Sequence, residues 1–245
     1  MGFDKEVKER IDAMGRDETL KATAHAFLKA SVSPKYSYNF SWMGRPIIQY
    51  PQDIIAMQEI IWSVKPDLII ETGIAHGGSL IFSASILELI ASCDGIEGGE
   101  VVGIDIDIRQ HNRKAIEEHP MFKRISLLEG SSIAPEIISQ IVERTKHKNR
   151  ILVFLDSNHT HQHVLAELKA YAPLASVGSY CVVFDTLIED MQENAYPDRP
   201  WSKGNNPKTA VWEWLKTHPE FEIDKSMHQK LLITVAPDGY LKRIR

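Results

Sequence analysis

Cysteine is scarce in this sequence, and its two cysteines, Cys93 and Cys181, lie far apart and outside any paired metal-binding spacing. This excludes disulfide-stapled scaffolds and zinc ribbons, because both classes need several closely spaced cysteines. Scarce cysteine also favours a reduced setting, so we expect a cytoplasmic protein.

Long apolar runs are lacking as well. No run reaches the roughly 18 residues of a membrane-spanning helix, and the charged N-terminus, MGFDKEVKER, has no apolar segment typical of a signal peptide. The formal net charge of -5 gives no electrostatic attraction to a polyanion. We therefore expect neither a membrane span nor a nucleic acid partner.

The 245 residues, with 43% hydrophobic and 25% charged residues, suit one large globular domain with a small extension. Residues 4–30 show a helical pattern that breaks near Gly15, and the aromatic, proline-containing stretch 31–51 predicts a loop. We expect 1–50 to be a helical extension with a substrate-side loop, and 51–245 to be the main domain. The alternative for the loop is a linker packed by its own aromatic side chains.

Short apolar runs then alternate with helical patterns along the main domain. Strands are predicted at 68–70, 101–104, 125–128, 151–155, 180–184, 221–223 and 231–235. Helices are predicted at 52–64, 78–93, 110–118, 134–148, 161–171 and 207–217. Continuous apolar runs are typical of strands buried on both faces, and their alternation with helices predicts a doubly wound, mostly parallel, Rossmann-like α/β sheet.

The segment after the first strand of this series, Glu71 to Ser79, is rich in glycine. Such a turn brings the backbone close to a ligand, and free N–H groups at the helix start suit an anionic group. A tight turn without a ligand is the alternative. Because Gly73, Gly77 and Gly78 do not form G-x-G-x-x-G, the spacing argues against a nicotinamide dehydrogenase.

The next two strand ends suit an adenosine cofactor. Asp105 is placed to accept hydrogen bonds from ribose hydroxyls, with Asp107 as the substitute if the register differs by two residues. Ser132 follows the third strand, where small residues and hydroxyls suit the border of an adenine ring.

Asp156 and Asp185 follow neighbouring strands, and two carboxylates at one sheet edge suit Mg²⁺. His159 is placed over the same site, where a histidine serves as a general base near neutral pH. The alternative is an ordinary cap or turn role for each residue. His161 and His163 also suggest a zinc or iron site, but side chains two apart on a helix diverge.

Together these segments resemble the cephalosporin hydroxylase and rhamnosyl O-methyltransferase family, which has the class I S-adenosylmethionine-dependent methyltransferase fold. The resemblance rests on WMGR (42–45), ETGIAHGGS (71–79), VVGIDID (101–107), LLEGSS (127–132), FLDSNHTHQHV (154–164), VVFDT (182–186), DRPWSKGNNPKTAVWEWL (198–215) and KLLITVAPDGYLKR (230–243).

The resemblance implies a role for each matching residue toward S-adenosylmethionine. The methionine end of the cofactor is assigned to Glu71, Gly73, Ala75 and Ser79, the ribose to Asp105, the adenine to Ser132, and a further contact to Asp156. Methyl transfer to a hydroxyl is the implied activity.

The LD-x-x-H and DT segments are also similar to the metal-binding segments of catechol-type O-methyltransferases. This implies Asp156 and Asp185 as Mg²⁺ ligands and His159 as the catalytic base. Thr186 stands where that group has an amide ligand, so the third metal ligand is Thr186 or, from the following loop, Glu189 or Asp190.

The expected acceptor is a small hydroxylated molecule, a sugar or an antibiotic-type intermediate. The loop 187–206, with Tyr196, Arg199, Trp201 and Lys203, is expected to close over it or to pack at a subunit interface. We also expect a homo-oligomer.

Two other functions stay open at this point. A hydroxylase would need an iron site of two histidines and a carboxylate, for which the strand ends show no suitable triad. A cofactor-binding accessory subunit would have no need of a catalytic base.

Overall fold

The computed structural model describes residues 2–193 and 195–245. In this part of the chain, helices cover both faces of a seven-stranded sheet. The helices are α1 (Phe3–Arg16), α2 (Glu18–Val32), α3 (Pro51–Val64), α4 (Gly78–Asp94), α5 (Gln110–Glu117), α6 (Pro135–Thr145), α7 (His161–Tyr171), α8 (Pro207–Leu215) and α9 (Lys225–Leu231). The strands are β1 (Phe40–Trp42), β2 (Arg45–Ile47), β3 (Leu68–Thr72), β4 (Glu100–Asp105), β5 (Ile125–Glu129), β6 (Ile151–Leu155), β7 (Tyr180–Val183), β8 (Phe221–Ile223) and β9 (Tyr240–Arg243).

The large sheet has the strand order β5-β4-β3-β6-β7-β9-β8. Strands β3 to β7 are parallel, and β9 runs antiparallel between β7 and β8. The chain builds outward from β3 through β4 to β5, then returns to β6 on the other side of β3. The strand order therefore reverses between β3 and β6, and ligands of doubly wound sheets bind beyond the carboxyl ends of such a strand pair.

The core lies in two apolar layers, one on each face of the sheet. Successive residues of one strand alternate between them: Ile69 packs in the layer with α3 and α4, whereas Leu68 and Ile70 pack in the layer with α7 and α8. All three side chains are fully buried. This two-sided burial explains the continuous apolar runs, and it confirms the predicted doubly wound, mostly parallel sheet.

The N-terminal region contains two helices and a small hairpin. The predicted break near Gly15 lies at Asp17, whose carboxylate accepts the Leu20 N–H (2.9 Å) and begins α2 as its N-cap. The predicted loop 31–51 contains the β1–β2 hairpin, and Trp42 donates from its indole to the Ser85 hydroxyl on α4 (3.0 Å). The division of the chain at residue 50 stays a prediction.

The predicted strand at 231–235 is wrong, because α9 covers its start and the last strand is Tyr240–Arg243. The Val235 N–H donates to the Asp53 carboxylate (3.0 Å), and the Val235 carbonyl accepts the Leu187 N–H (3.1 Å). The end of this half-buried segment is thus paired with a side chain and a loop instead of a neighbouring strand. Among residues 2–193 and 195–245, no helix has the length and apolarity needed to cross a membrane.

Candidate active site

The turn between β3 and α4 lies tightly against its neighbours. Gly73 has φ 81°, and a Cβ there would lie 2.1 Å from the Asp156 carbonyl oxygen. At Gly78 a Cβ would lie 2.1 Å from the Pro46 carbonyl oxygen. Glycine is needed at both positions, and the turn therefore contacts the end of β6 on one side and the hairpin on the other.

Glu71, the acid that precedes this turn, is buried in the structure with 3% exposure. Its Oε1 accepts the hydroxyl of Ser79, whereas its Oε2 has no hydrogen-bond partner among the described residues. Burial raises the pKa of Glu71 to about 7, against a smaller lowering by the Ser79 hydroxyl. A buried acceptor without a donor suits a cationic ligand group such as an ammonium.

Asp105 ends β4 beside the same turn. Its Oδ2 accepts the Ile74 N–H (3.0 Å) and its Oδ1 accepts the Asp107 N–H (3.2 Å). These bonds fix a half-buried carboxylate that still has free lone pairs. Ala75, predicted to line the cofactor, is exposed on the turn with φ 43°.

Ser132 is buried and faces a polar group beneath the strand ends. Its hydroxyl lies 3.0 Å from His163 Nε2, and the Ser157 hydroxyl lies 3.1 Å from the same nitrogen. Ser157 also donates to Glu167 Oε1 (2.7 Å). The structure therefore places Ser132 in a hydrogen-bonded network, and its proposed contact with adenine stays a prediction.

Asp156, His159 and Asp185 form the one cluster of metal-type side chains found in the described part of the chain. Their ligand atoms all lie within 4.8 Å of one another. His159 Nε2 lies 3.0 Å from Asp185 Oδ2. Asp185 has φ 55°, an uncommon left-handed conformation for a residue with a side chain, and such backbone strain concentrates at functional sites.

The electrostatics of this cluster suit a bound cation. The pKa of Asp156 is raised well above its usual range, first by burial and then by the negative charges of Asp185 and Glu71. A divalent cation would offset both causes, because it replaces lost hydration and neutralises the paired charges. Two carboxylates at neighbouring strand ends fit the oxygen preference of Mg²⁺.

The other predicted metal ligands lie in different contacts. The Thr186 hydroxyl donates to the Pro237 carbonyl (2.6 Å). Glu189 accepts the Gly204 N–H (2.8 Å), and Asp190 pairs with Lys208 (2.6 Å). The cluster thus takes its third member from His159, and a ligand role for Thr186 stays a prediction.

The three histidines of this segment diverge. Only His159 joins the acid cluster. His161 lies against α8, with Nδ1 2.8 Å from the Thr209 hydroxyl and Nε2 3.2 Å from Glu213 Oε2. His163 contacts the serine network described above. The described residues therefore contain no site built from two or three of these histidines.

The loop 187–206 approaches the cluster through Trp201. The Trp201 ring packs edge to face with the His159 ring, with centroids 4.7 Å apart. The Arg199 guanidinium lies over the Trp201 ring, 5.2 Å from its centroid. Tyr196 instead packs with Leu28 and Tyr50 in a small apolar cluster. Closure of the loop over a substrate and a subunit interface both stay predictions, as does the homo-oligomer.

Gln49 is the site residue that the sequence-based prediction missed. It is buried, and its Nε2 donates to Asp156 Oδ2 (3.3 Å). The available signal was its place as the single amide within the apolar run Ile47-Ile48-Gln49-Tyr50.

This chain is similar to proteins described as rhamnosyl O-methyltransferases. The family model "Rhamnosyl O-methyltransferase/CmcI" matches residues 34–244. A rhamnosyl O-methyltransferase of Mycobacterium leprae is 31% identical over 205 residues, covering 83% of this chain and 82% of that protein. One of Mycobacterium tuberculosis is 31% identical over 208 residues, covering 83% and 78%.

A solved structure of CmcI, described as "Mg-SAM", has a TM-score of 0.58 and 19% identity, covering 85% of this chain and 78% of that one. This similarity shows the same fold. The predicted family and the predicted enzyme class, an O-methyltransferase, are thereby confirmed. The chain belongs to the rhamnosyl O-methyltransferase/CmcI family.

Proposed function

We propose that this protein is a Mg²⁺-assisted, S-adenosylmethionine-dependent O-methyltransferase that methylates a hydroxyl of a sugar or small natural product. The observation that supports this most is the Asp156, His159 and Asp185 cluster at the point where the strand order reverses. Gly73 packs directly against the Asp156 backbone, so the glycine turn adjoins the cluster. Methyl transfer needs a cofactor site and an acceptor site that adjoin in this way.

The cofactor site is proposed at the glycine turn. The unpaired Oε2 of Glu71 is suited to bind the ammonium of the methionine end, with Gly73, Ala75 and Ser79 along the turn. Asp105 is suited to accept the ribose hydroxyls, since its carboxylate is fixed by two backbone N–H groups. These contacts would orient the cofactor and are proposed from donor and acceptor chemistry.

Asp156 and Asp185 would hold the cation, and the His159 imidazole would take the proton of the acceptor hydroxyl. When bound, S-adenosylmethionine supplies a methyl group on a sulfonium, and Mg²⁺ lowers the pKa of a hydroxyl that it binds. Trp201 holds the His159 ring from its edge. Orientation of the reacting groups is the largest contribution expected of the protein, up to about 7–11 kcal/mol in favourable systems.

The proposed acceptor is a rhamnose-like deoxysugar or a similar polyol. The names of the two mycobacterial relatives support a rhamnosyl acceptor. Within this chain, Trp201 and Arg199 lie next to the cluster, and aromatic and guanidinium groups are suited to stack on and hydrogen-bond to a sugar ring. The cluster contains one histidine, and so nothing in its donor set favours the two-histidine iron site of a hydroxylase.

The test is an assay with methyl-labelled S-adenosylmethionine, Mg²⁺ and a panel of rhamnosides, other deoxysugar glycosides and polyhydroxylated natural products. We expect label in a methyl ether, located by NMR, for acceptors of one class. A panel without any labelled product would contradict methyl transfer to these acceptors. A hydroxylated product without label would instead support the hydroxylase.

A further inference from the structure

Gln49 lies between β2 and α3 and is 4% exposed. Its segment is held at both ends. Arg45 donates to the His76 carbonyl (2.6 Å), and the Tyr50 and Ser31 hydroxyls share a hydrogen bond (2.6 Å). The Gln49 side chain is therefore preorganised by the fold.

The contact with Asp156 fixes the orientation of the Gln49 side-chain amide. The Gln49 Nε2 lies 3.3 Å from Asp156 Oδ2. A carboxylate in its cation-binding form only accepts hydrogen bonds, so the donor end of the amide must face it. The acceptor end, Oε1, is then turned away from Asp156, and it is buried without a hydrogen-bond partner among the described residues.

No residue in the described ranges, 2–193 and 195–245, donates to this oxygen. Glu71 Oε2 and Glu167 Oε2 are likewise buried without partners in the described structure. Buried acceptors are normally satisfied, so the missing donors are expected to arrive with ligands. The Glu71 carboxyl suits a cationic ammonium, whereas the Gln49 amide oxygen suits a neutral hydroxyl.

We propose that Gln49 is a specificity-determining residue for the acceptor. Its Nε2 holds the Asp156 carboxylate, and its Oε1 accepts a hydrogen bond from an acceptor hydroxyl other than the one that is methylated. The acceptor class is thus a sugar or polyol with a second free hydroxyl near the reacting one. This inference rests on the proposed methyltransferase function.

The experiment compares the parent enzyme with Gln49→Met, which keeps a similar shape but neither donates nor accepts. Both are assayed at saturating Mg²⁺ and cofactor with an acceptor found in the labelled screen and with its singly deoxygenated analogues. For Gln49→Met we expect KM for the full acceptor to rise about 3- to 10-fold, a larger change than that in kcat, which also registers the loss of the Asp156 contact. For one deoxygenated analogue, the one that lacks the hydroxyl bound by Gln49, the parent's KM should already be raised by the same factor. Replacing Gln49 by Met should not raise the KM for this analogue any further.

The matched control is Gln140→Met, the same change at an exposed amide on α6. It should leave every constant unchanged. Gln49→Asn, which keeps the amide but shortens the side chain, covers the case in which Gln49→Met fails to fold. The KM of Gln49→Asn for the full acceptor should also rise, whereas its KM for the analogue that lacks the bound hydroxyl should equal that of the parent.

The possible outcomes distinguish a failure of the proposed methyltransferase function from a failure of the role proposed for Gln49. No turnover by the parent overturns the proposed function and this inference with it. Parent turnover with an unchanged KM in the Gln49 variants overturns this inference alone. A variant that loses only affinity for the cofactor, measured by calorimetry, also overturns this inference. The same holds if the rise in KM from the mutation and the rise from deoxygenation add for every analogue.

Discussion

His159 Nε2 and Asp185 Oδ2 lie 3.0 Å apart, so the imidazole and the strained acid at the end of β7 are in direct contact. The Trp201 ring packs against the same imidazole, with ring centroids 4.7 Å apart. A base held this way has one ring nitrogen directed at the cluster. The same contact allows His159 to act as a base or to complete the ligand set, and mutation separates the two roles.

Removing His159 tests the role of base. For His159→Ala we expect kcat to fall by roughly 10²–10⁴, the usual share of general acid–base catalysis, with cofactor affinity near the parent value. The acidic limb of the pH profile of kcat should also disappear. Steady-state kinetics across pH, with calorimetry for the cofactor, measures both effects.

The matched control for that variant is His161→Ala, since His161 contacts Thr209 and Glu213 instead of the cluster. It should keep kcat close to that of the parent. If His159→Ala loses its response to Mg²⁺ rather than its pH dependence, His159 is a ligand. An unchanged kcat would remove it from the chemistry altogether.

Chelation tests the paired acids. EDTA should abolish activity and Mg²⁺ should restore it, because Asp156 and Asp185 repel each other at this distance unless a cation lies between them. Asp156→Asn and Asp185→Asn should each raise the Mg²⁺ concentration needed for half-maximal rate. Titration of the rate with Mg²⁺ measures this.

An exposed acid of the following loop, changed as Asp198→Asn, is the control for the metal titration and should respond like the parent. Full turnover of the parent in chelator would show that the two acids have a structural role only.

The sheet was predictable from sequence because its strands are buried on both faces. The run Ile151–Leu155 is apolar throughout since its side chains alternate between the two core layers, and an apolar run between turns is a local signal. The segment 231–235 is also mostly apolar, yet it begins in α9 and continues as a half-buried loop. Its backbone is satisfied by Asp53, a residue distant in sequence, and no local pattern encodes that contact.

Some residues of the candidate site were likewise predictable from the sequence, and others were not. Asp156 and Asp185 were predictable because acids at the ends of parallel strands meet at one sheet edge. Gln49 was not, since it enters from the N-terminal hairpin, and the packing of that hairpin on α4 is a tertiary contact. The pairing of Asp190 with Lys208 on α8 likewise depends on how α8 packs.

Asp105 offers a separate test of the cofactor site. Asp105→Ala should abolish measurable binding of S-adenosylmethionine by calorimetry, because the contact proposed for this carboxylate is to the ribose hydroxyls. The same change at Asp107, which is exposed two residues later, should leave affinity unchanged. Equal affinity in Asp105→Ala and the parent would contradict the assignment, and a loss in Asp107→Ala alone would shift it by two residues.

Asp53, on α3, forms hydrogen bonds with β9 and with the segment that precedes it. Its carboxylate is fully buried and accepts the Val235 N–H (3.0 Å), the Tyr240 hydroxyl (2.9 Å) and the Thr234 hydroxyl. Burial raises the pKa of Asp53 to about 6 from an ordinary 3.8, against the lowering by its hydrogen bonds. The folded state therefore binds this proton more tightly than the unfolded state does.

The sign of the pH effect on stability follows from that difference. A raised pKa in the folded state contributes stability that is fully present below pH 3.8 and is lost as the pH rises through about 6. Asp53→Asn removes this titration, and its amide can keep an oxygen toward the Val235 N–H while its NH₂ faces the Thr234 and Tyr240 hydroxyls, so the remaining difference from the parent does not depend on pH. The parent's advantage in unfolding free energy over Asp53→Asn should thus be largest at the acidic end, near pH 3.8, and shrink as the pH rises toward 7. Urea denaturation at half-unit pH steps measures it, with Asp198→Asn as a control that keeps the parent's pH dependence. A parent advantage that is constant across this range, or that grows with pH, would show that Asp53 does not bind its proton more tightly in the fold.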